Sequence, residues 1–530
     1  MDARLRNTTR YLAAAAYLDP AFRDRALGSL LDQRHRSVAP SVGGFDLVPV
    51  LRHCLYARSL LTVRDAAVTA MLVLALLFGF TGVFPWIAVL AGLGVLASHP
   101  GGPMAARRST GRLLATAGAA GVALMGAGIG FAALMAASSS SYDEDSSGVA
   151  WLGPVMLLAA AGTVLAYRMR VYRILAERLR PGATHPEADP STRMGEVDAA
   201  QKGNLTLYSG ENPFIGAGHL VRAWTIAAEL DRRKGTYERE LSEVDAVELH
   251  EYVGDRLEQM RFEAAPGMPV DLDILDHVVA EGLLNQLHGT HPLLQDGRPR
   301  HHLDHDALHA IIRNPQSGAR HYRWIVVGTG GAAVTDRHGN QVLPATDRDT
   351  TVSIFIHLAI EGRMLYTEFI VMALPPVRAA HRVVDELPKE AGPALLLTTL
   401  TRAPLQLARD LVAAPVRLVR GGLVALRTVK DPADFVVFDF GAEVSLRELG
   451  AEREITTFLE RLDAFKYAKL VEERLNNAVL DYLDLHDVDT TAYRQQVAAV
   501  INNGTVVNGG TFSGVAIGGQ GAKVTAGEAA

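Results

Sequence analysis

Hydrophobic and charged positions are sharply segregated along this chain. Asp65 and Arg107 bracket a first uncharged stretch, which is strongly apolar from Ala66 to Ser98; a second runs from Leu113 to Tyr142 and a third from Ser146 to Tyr167. A bilayer core about 30 Å thick needs roughly 20 apolar residues of helix to cross it. Backbone groups in hydrocarbon must satisfy one another, which makes helix the expected state of each stretch. The first is too long for one comfortable span, because roughly 33 residues at 1.5 Å rise reach about 50 Å. Thr81-Gly82-Val83-Phe84-Pro85 supplies breakers, so the pattern predicts a tight hairpin with helices near Ala66–Phe80 and Phe84–Ser98.

Charge in the connections then sets orientation. Arg107, Arg108 and Arg112 lie in one loop, Asp143, Glu144 and Asp145 in the next, and Arg168, Arg170, Arg173, Arg178 and Arg180 follow the last stretch. Basic residues gather on the cytoplasmic side of membranes. The expected fold class is therefore a four-helix transmembrane module (66–167), with an α+β cytoplasmic domain and a Gly-rich tail. This places both termini in the cytoplasm of a bacterial plasma membrane. A helical region (1–65) without a signal peptide precedes the module, and a polar linker (168–203) follows it. Glycines 118, 121, 126, 128 and 130 suit close helix packing, including self-association. The stretches hold no ionisable residue of the kind that marks transport pathways.

Beyond the linker the period changes. Asn204–Ser209 and Leu220–Ala227 alternate like strands; Tyr322–Val327, Thr351–Ala359 and Met364–Met372 do the same, the last two joined by the hairpin signal Ile360-Glu361-Gly362-Arg363. Ser242–Phe262 and Asp271–Asn285 read as amphipathic helices. Phe435–Phe440 reads as a short strand and Ser445–Leu485 as a long charged helix or helix pair. These make up the α+β domain, as 204–390 and 431–501. Between them, 391–430 is rich in Leu, Val, Ala and Arg, a composition suited to helices at an anionic membrane surface; an ordinary helical hairpin with an arginine rim is the alternative.

Composition adds exclusions. A net charge of −6 gives no case for nucleic acid. Cys54 is the only cysteine, which rules out internal disulfides and cysteine zinc sites. The abundance of Ala, Gly and Arg fits a GC-rich bacterial genome.

Tyr208-Ser209-Gly210-Glu211-Asn212-Pro213-Phe214-Ile215-Gly216-Ala217-Gly218 resembles the Tyr-Ser-Gly-x-x-Pro-Phe-x-Gly-x-Gly motif of uncharacterised multi-pass membrane proteins of actinobacteria. Asn314–Tyr322 and Leu374-Pro375-Pro376 resemble further signatures of that family, which brings no activity with it. Independently, the glycines here suit a backbone nest for an anion or a tight turn between strands. In the tail (502–530), Val515-Ala516-Ile517-Gly518-Gly519-Gln520-Gly521 resembles the core of amyloid signalling motifs, which implies templated pairing with a partner carrying a similar segment. Val515, Ile517 and Gly518 carry that likeness, and a disordered tail is the plainer reading.

Candidate chemistry is sparse. His301, His305 and His309 stand at i, i+4 and i+8, where one helix would stack them as zinc or nickel ligands with Asp306 nearby; an exposed helix start is the alternative. Gly328-Thr329-Gly330-Gly331-Ala332-Ala333 mimics a dinucleotide fingerprint, but no crossover helix follows it. Asp271, Asp273 and Asp276 lack the glycine and glutamate of a calcium loop and read as a solvated helix start. No cofactor is expected. The functional expectation is a non-enzymatic membrane scaffold whose partners are the bilayer and another protein. The alternatives are a signalling effector triggered through its tail and a metal-dependent enzyme using the histidines.

Overall fold

In the computed structural model the structure describes residues 3–41, 45–98, 152–186, 189, 192–233, 244–262, 271–285, 291–328, 334–338, 341–343, 349–387, 404–425, 431–455 and 457–502. The chain opens with helices α1 (Asn7–Leu18) and α2 (Pro20–Leu27), the second capped by the Asp19 side chain and started by Pro20. Helix α3 (Leu47–Ser98) follows, then α4 (Leu152–Arg173) and α5 (Arg193–Gln201). Ala13 to Ala16 are fully buried, and α1 packs with Leu51, Cys54 and Ala57 of α3, with Ile174, Leu175 and Leu179 after α4, and with Val197 of α5. The segment read as a polar linker thus contributes apolar side chains to a core at the root of the long helices.

Six strands form one sheet: β1 (Leu205–Tyr208), β2 (His219–Glu229), β3 (Asp271–Glu281), β4 (Ala319–Gly328), β5 (Thr351–Glu361) and β6 (Met364–Leu374). Their spatial order is β1-β3-β4-β5-β6-β2, antiparallel throughout except for the β1–β3 pair. Gly362, at φ +61°, makes the β5–β6 turn. Central β5 is buried from Thr351 to Ala359 because both of its faces are covered. Val352, Ile354, Ile356 and Leu358 join the core beneath α6 (Ala246–Glu258), α9 (Phe458–Leu485) and α10 (Thr491–Asn502). On the other face Phe355 packs with Trp324, Tyr322 and Phe214. Helix α7 (His305–Arg313) sits on the β1–β3 side, and α8 (Pro404–Ala425) returns to pack on α3 and α4. Gln496 of α10 bonds both the amide (3.3 Å) and the carbonyl (2.6 Å) of Ala227, covering the edge strand.

Several expectations need correction. The four-span module is overturned: α3 runs as one helix through Thr81–Pro85, where a hairpin was expected. Within a long run of Leu, Val and Ala, one glycine and one proline do not break the helix. Among the described residues two helical stretches, Leu47–Leu77 and Val155–Arg178, are long and apolar enough to cross a membrane. They lie beside a sheet-rich α+β body, as expected for that part of the chain. The expected span within Leu113–Tyr142 lies outside the described residues, as does the glycine-rich turn at 329–333. Asp271–Glu281 is a strand, not a helix. Its alternation is hidden because Asp276 occupies a buried-face position, where it bonds His321 and Arg323.

Candidate functional site

The Tyr208–Gly218 loop leaves β1 and crosses to β2, and hydrogen bonds fix each turn of it. Gly282 N donates to the Tyr208 carbonyl (2.9 Å), and Ser209 N to that of Ala442 (3.0 Å). The Ser209 hydroxyl donates to Asp439 Oδ2 at 2.6 Å, and Arg36 donates to the same oxygen at 2.9 Å. Burial pushes the Asp439 carboxyl up, but Ser209, the Gly441 amide and Arg36 outweigh it and hold it below the usual range. Asn212 Oδ1 accepts from Phe214 N (2.9 Å), and Pro213 stands between them. The Phe214 ring then lies 4.3 Å from Phe355 and 5.2 Å, edge-on, from Tyr322.

Gly210, Gly216 and Gly218 all have positive φ. The amides of Gly216 and Gly218 both donate to Glu448 Oε1 at 2.9 Å. The nest is therefore filled, and its acceptor is the chain's own Glu448 carboxyl oxygen. Burial raises the Glu448 pKa, and the two amides offset that rise only in part. A Cβ on Gly218 would sit 2.3 Å from the Ala373 carbonyl oxygen, and one on Gly441 would sit 2.3 Å from the Tyr208 carbonyl carbon. The motif residues Tyr208, Ser209, Gly210, Pro213, Phe214, Gly216 and Gly218 thus build a joint between the sheet and the segment 439–448.

Beneath α6 a second polar group packs into the sheet, its histidines buried and its Asp276 side chain 34% exposed. His321 Nε2 donates to Asp276 Oδ1 (2.8 Å), Arg323 donates to Asp276 Oδ2 (2.9 Å), and His250 Nε2 donates to the Leu358 carbonyl (2.9 Å). The rings of His250 and His321 meet edge to face at 4.8 Å. Across the sheet His357 Nδ1 donates to the His321 carbonyl (2.8 Å), and His277 packs on Trp324. Burial drives all four imidazoles toward the neutral form, His277 to about 3. Burial opposes ionisation of Asp276, but the His321 bond and the Arg323 charge keep it a carboxylate. This network needs its neutral histidines as donors, and its polar groups are largely consumed by one another. His321 Nδ1 and Trp324 Nε1 are buried without a hydrogen-bond partner. No sequence signal pointed to this group, because its members are scattered over three strands and one helix.

The histidine cluster divides at the start of α7. His301 lies ahead of the helix, while His305 and His309 are one turn apart with rings 4.7 Å apart. His309 Nε2 is 3.7 Å from Glu251. Among the described residues no group of three or more His, Cys, Asp or Glu side chains is placed to hold a metal ion. Val515, Ile517 and Gly518 lie outside the described residues.

The long helices bring together the strongest charge pattern. Helices α3 and α4 run antiparallel, with Arg64 over Tyr167 (4.5 Å), Thr163 beside Met71 and Arg170 bonded to the Tyr56 hydroxyl (3.1 Å). Where α3 turns apolar, Asp65 is bound by Arg64 (2.7 Å) and Arg417 (2.8 Å), and Asp410 by Arg168 (2.9 Å). At the root of α3, Leu5, Arg52, Tyr56, Arg178, Arg180 and His185 line part of an open cleft of about 550 Å³.

A family model described as AbeC-like domain matches residues 223–514. No curated protein and no solved structure matches the chain. The match begins inside β2 and takes in β3 to β6 with α6 to α10, so β1 and the Tyr208–Gly218 loop lie just ahead of it. It covers more than half of the sequence, and the chain belongs to the AbeC-like domain family.

Proposed function

We propose that this chain is a membrane-anchored interaction protein that holds its AbeC-like domain against a bilayer and acts without catalysis of its own. The observation that carries this reading is the antiparallel pair α3 and α4, long and apolar enough to cross a membrane, with their basic ends together at the packed root. Arg58, Arg64, Arg168, Arg170, Arg173 and Arg178 share that end, which by the positive-inside rule faces the cytoplasm of a bacterial cell. The scaffold role is supported by how the conspicuous polar groups are engaged: Glu448 fills the nest, and Asp276 binds His321 and Arg323. Alkaline carbonate extraction of native membranes tests the anchor. The chain is expected in the pellet, and its release into the wash ends the proposal. Crosslinking in the same membranes then tests the scaffold: a defined protein partner is expected with the intact chain and lost when 204–502 is deleted. A second reading is carried by Val515-Ala516-Ile517-Gly518 in the tail. A peptide of 502–530 that forms fibres with strand spacing of about 4.7 Å would favour a signalling effector, and one that stays monomeric removes it.

A further inference from the structure

Helix α8 carries two apolar faces, and only one of them has a partner. Leu411 and Ala414 are buried against Val68 of α3 and Ala160 and Val164 of α4. On the opposite side Val412, Val416, Val419 and Leu423 follow i, i+4, i+7, i+11 spacing and form one stripe. Their exposures are 38%, 66%, 63% and 62%. Arg409 and Arg420 are exposed and border one edge of that stripe on the helix wheel. The one acid of the helix, Asp410, is taken up by Arg168 at 2.9 Å, with Arg417 at 3.8 Å.

Two observations on position say what covers the stripe. Arg417 reaches Asp65 at 2.8 Å and 3.1 Å, so α8 is clamped to α3 at the residue where that helix passes from charged to apolar sequence. The neighbouring surfaces are also apolar and exposed: Val73, Leu74 and Leu77 on α3, and Val155 and Leu158 on α4. The stripe on α8 continues that surface at its charged boundary, and its flanking cations are unopposed by exposed acids of the same helix.

We infer that the outer face of α8 docks into the bilayer beside α3 and α4, its Val/Leu stripe under the headgroups and Arg409 and Arg420 on anionic lipid phosphates. This rests on the membrane reading proposed above and deepens it. Long arginine stems lie along apolar surface while the guanidinium reaches polar headgroups, and an apolar helix face with a basic edge is the chemistry that anionic interfaces retain. Pro415 stands inside this helix. Arg417 donates to the Asp410 main-chain carbonyl at 3.0 Å, in the turn that the proline weakens.

The test uses the full chain in liposomes with a polarity-sensitive fluorophore on single introduced cysteines; native Cys54 is buried. Val416→Cys and Val419→Cys report on the stripe, Leu77→Cys on α3, and Leu275→Cys, on an exposed sheet position, on water. Brominated lipids are expected to quench positions 416, 419 and 77 at least threefold more than 275. Replacing phosphatidylglycerol by phosphatidylcholine is expected to lower the quenching at 416 and 419 by half or more, as is the pair Arg409→Gln, Arg420→Gln. Quenching at 77 without quenching at 416 and 419 overturns the inference and leaves the anchor standing, with a second chain or a protein as the occupant of the stripe. An absence of quenching at 77 as well overturns the membrane reading and this inference together.

Discussion

At the scale of single residues the glycines of the Tyr208–Gly218 loop are not equivalent. Gly210 (φ +81°) has open space where a Cβ would go, so Gly210→Ala meets only the left-handed backbone cost, about 1–2 kcal/mol. Gly218→Ala adds a contact at 2.3 Å with a strand carbonyl that cannot move alone, and is expected to cost about 3 kcal/mol or more. Urea midpoints of the two variants should therefore separate clearly, and equal losses would mean that the loop is not seated against β6. Glu448 gives a companion case. Glu448→Ala orphans two buried amides and should cost about 2–4 kcal/mol, whereas Glu448→Gln keeps an acceptor and should cost less. The motif stood out in the sequence through its glycines, and an anion nest was legible from them. That the nest's acceptor is Glu448, more than two hundred residues later, was not, because only the folded chain brings the two together.

Elements show where pattern reading succeeds and where it fails. β5 and β6 were legible because both are rich in β-branched and aromatic residues and Gly362 marks their turn. β3 was not, because Asp276 replaces an apolar residue on its buried face, and the pattern Leu272, Leu275, Val279 then mimics a helix. The same buried network sets the pH response. Neutral burial of His250, His277, His321 and His357 places their folded pKa values below the unfolded value of about 6.5. The unfolded state thus binds more protons as pH falls below that value, and stability must fall with it. Each such histidine contributes up to about 1.4 kcal/mol per pH unit between its unfolded and folded values. Thermal unfolding is expected to be nearly flat from pH 8 to 7 and to drop steeply from pH 6 to 4. His277→Phe, which removes a group whose folded value is about 3, should flatten that drop by one proton. An unchanged melting temperature down to pH 4.5 would contradict the neutral network. The α8 clamp gives a separate expectation. Asp65 is buried, with a side chain only 3% exposed, and it balances Arg64 and Arg417. Asp65→Ala should cost about 3–5 kcal/mol and open α8 to protease near Arg417, a cleavage that the wild-type chain resists.

On the scale of the whole molecule, one arginine ties the helical root to the sheet. Arg10 lies on α1 and is 1% exposed. Its Nε donates to the Leu179 carbonyl at 2.8 Å, where the chain leaves the α4 segment, and its guanidinium pairs with Asp385 just beyond β6. Tyr11 donates to the same carboxylate at 2.5 Å, and Thr8 to Asp349, at the entry to β5, at 3.0 Å. Arg447, fixed by carbonyls of Asp349 and Pro375, is so buried that its pKa falls to about 10. The contacts of Arg10 and Tyr11 with Asp385 and of Thr8 with Asp349 join parts of the chain more than three hundred residues apart. They were invisible in the sequence, where Arg10 counts as one of many basic residues ahead of an apolar run. The coupling they create has a thermodynamic signature. Root and sheet should unfold in one calorimetric transition in the wild-type chain, because neither can open without exposing a buried guanidinium. Arg10→Ala removes the donor to the Leu179 carbonyl and the cation beside Asp385, which keeps its bond from Tyr11, and should cost about 2–4 kcal/mol, below the range for a fully buried pair because Asp385 is 39% exposed. Its effect on cooperativity should be larger than its effect on stability. The single endotherm is expected to split into two. Arg25→Ala, on an exposed turn of α2, should leave one endotherm at an unchanged temperature. A single, merely shifted endotherm in Arg10→Ala would show that the remaining contacts couple the two parts without Arg10.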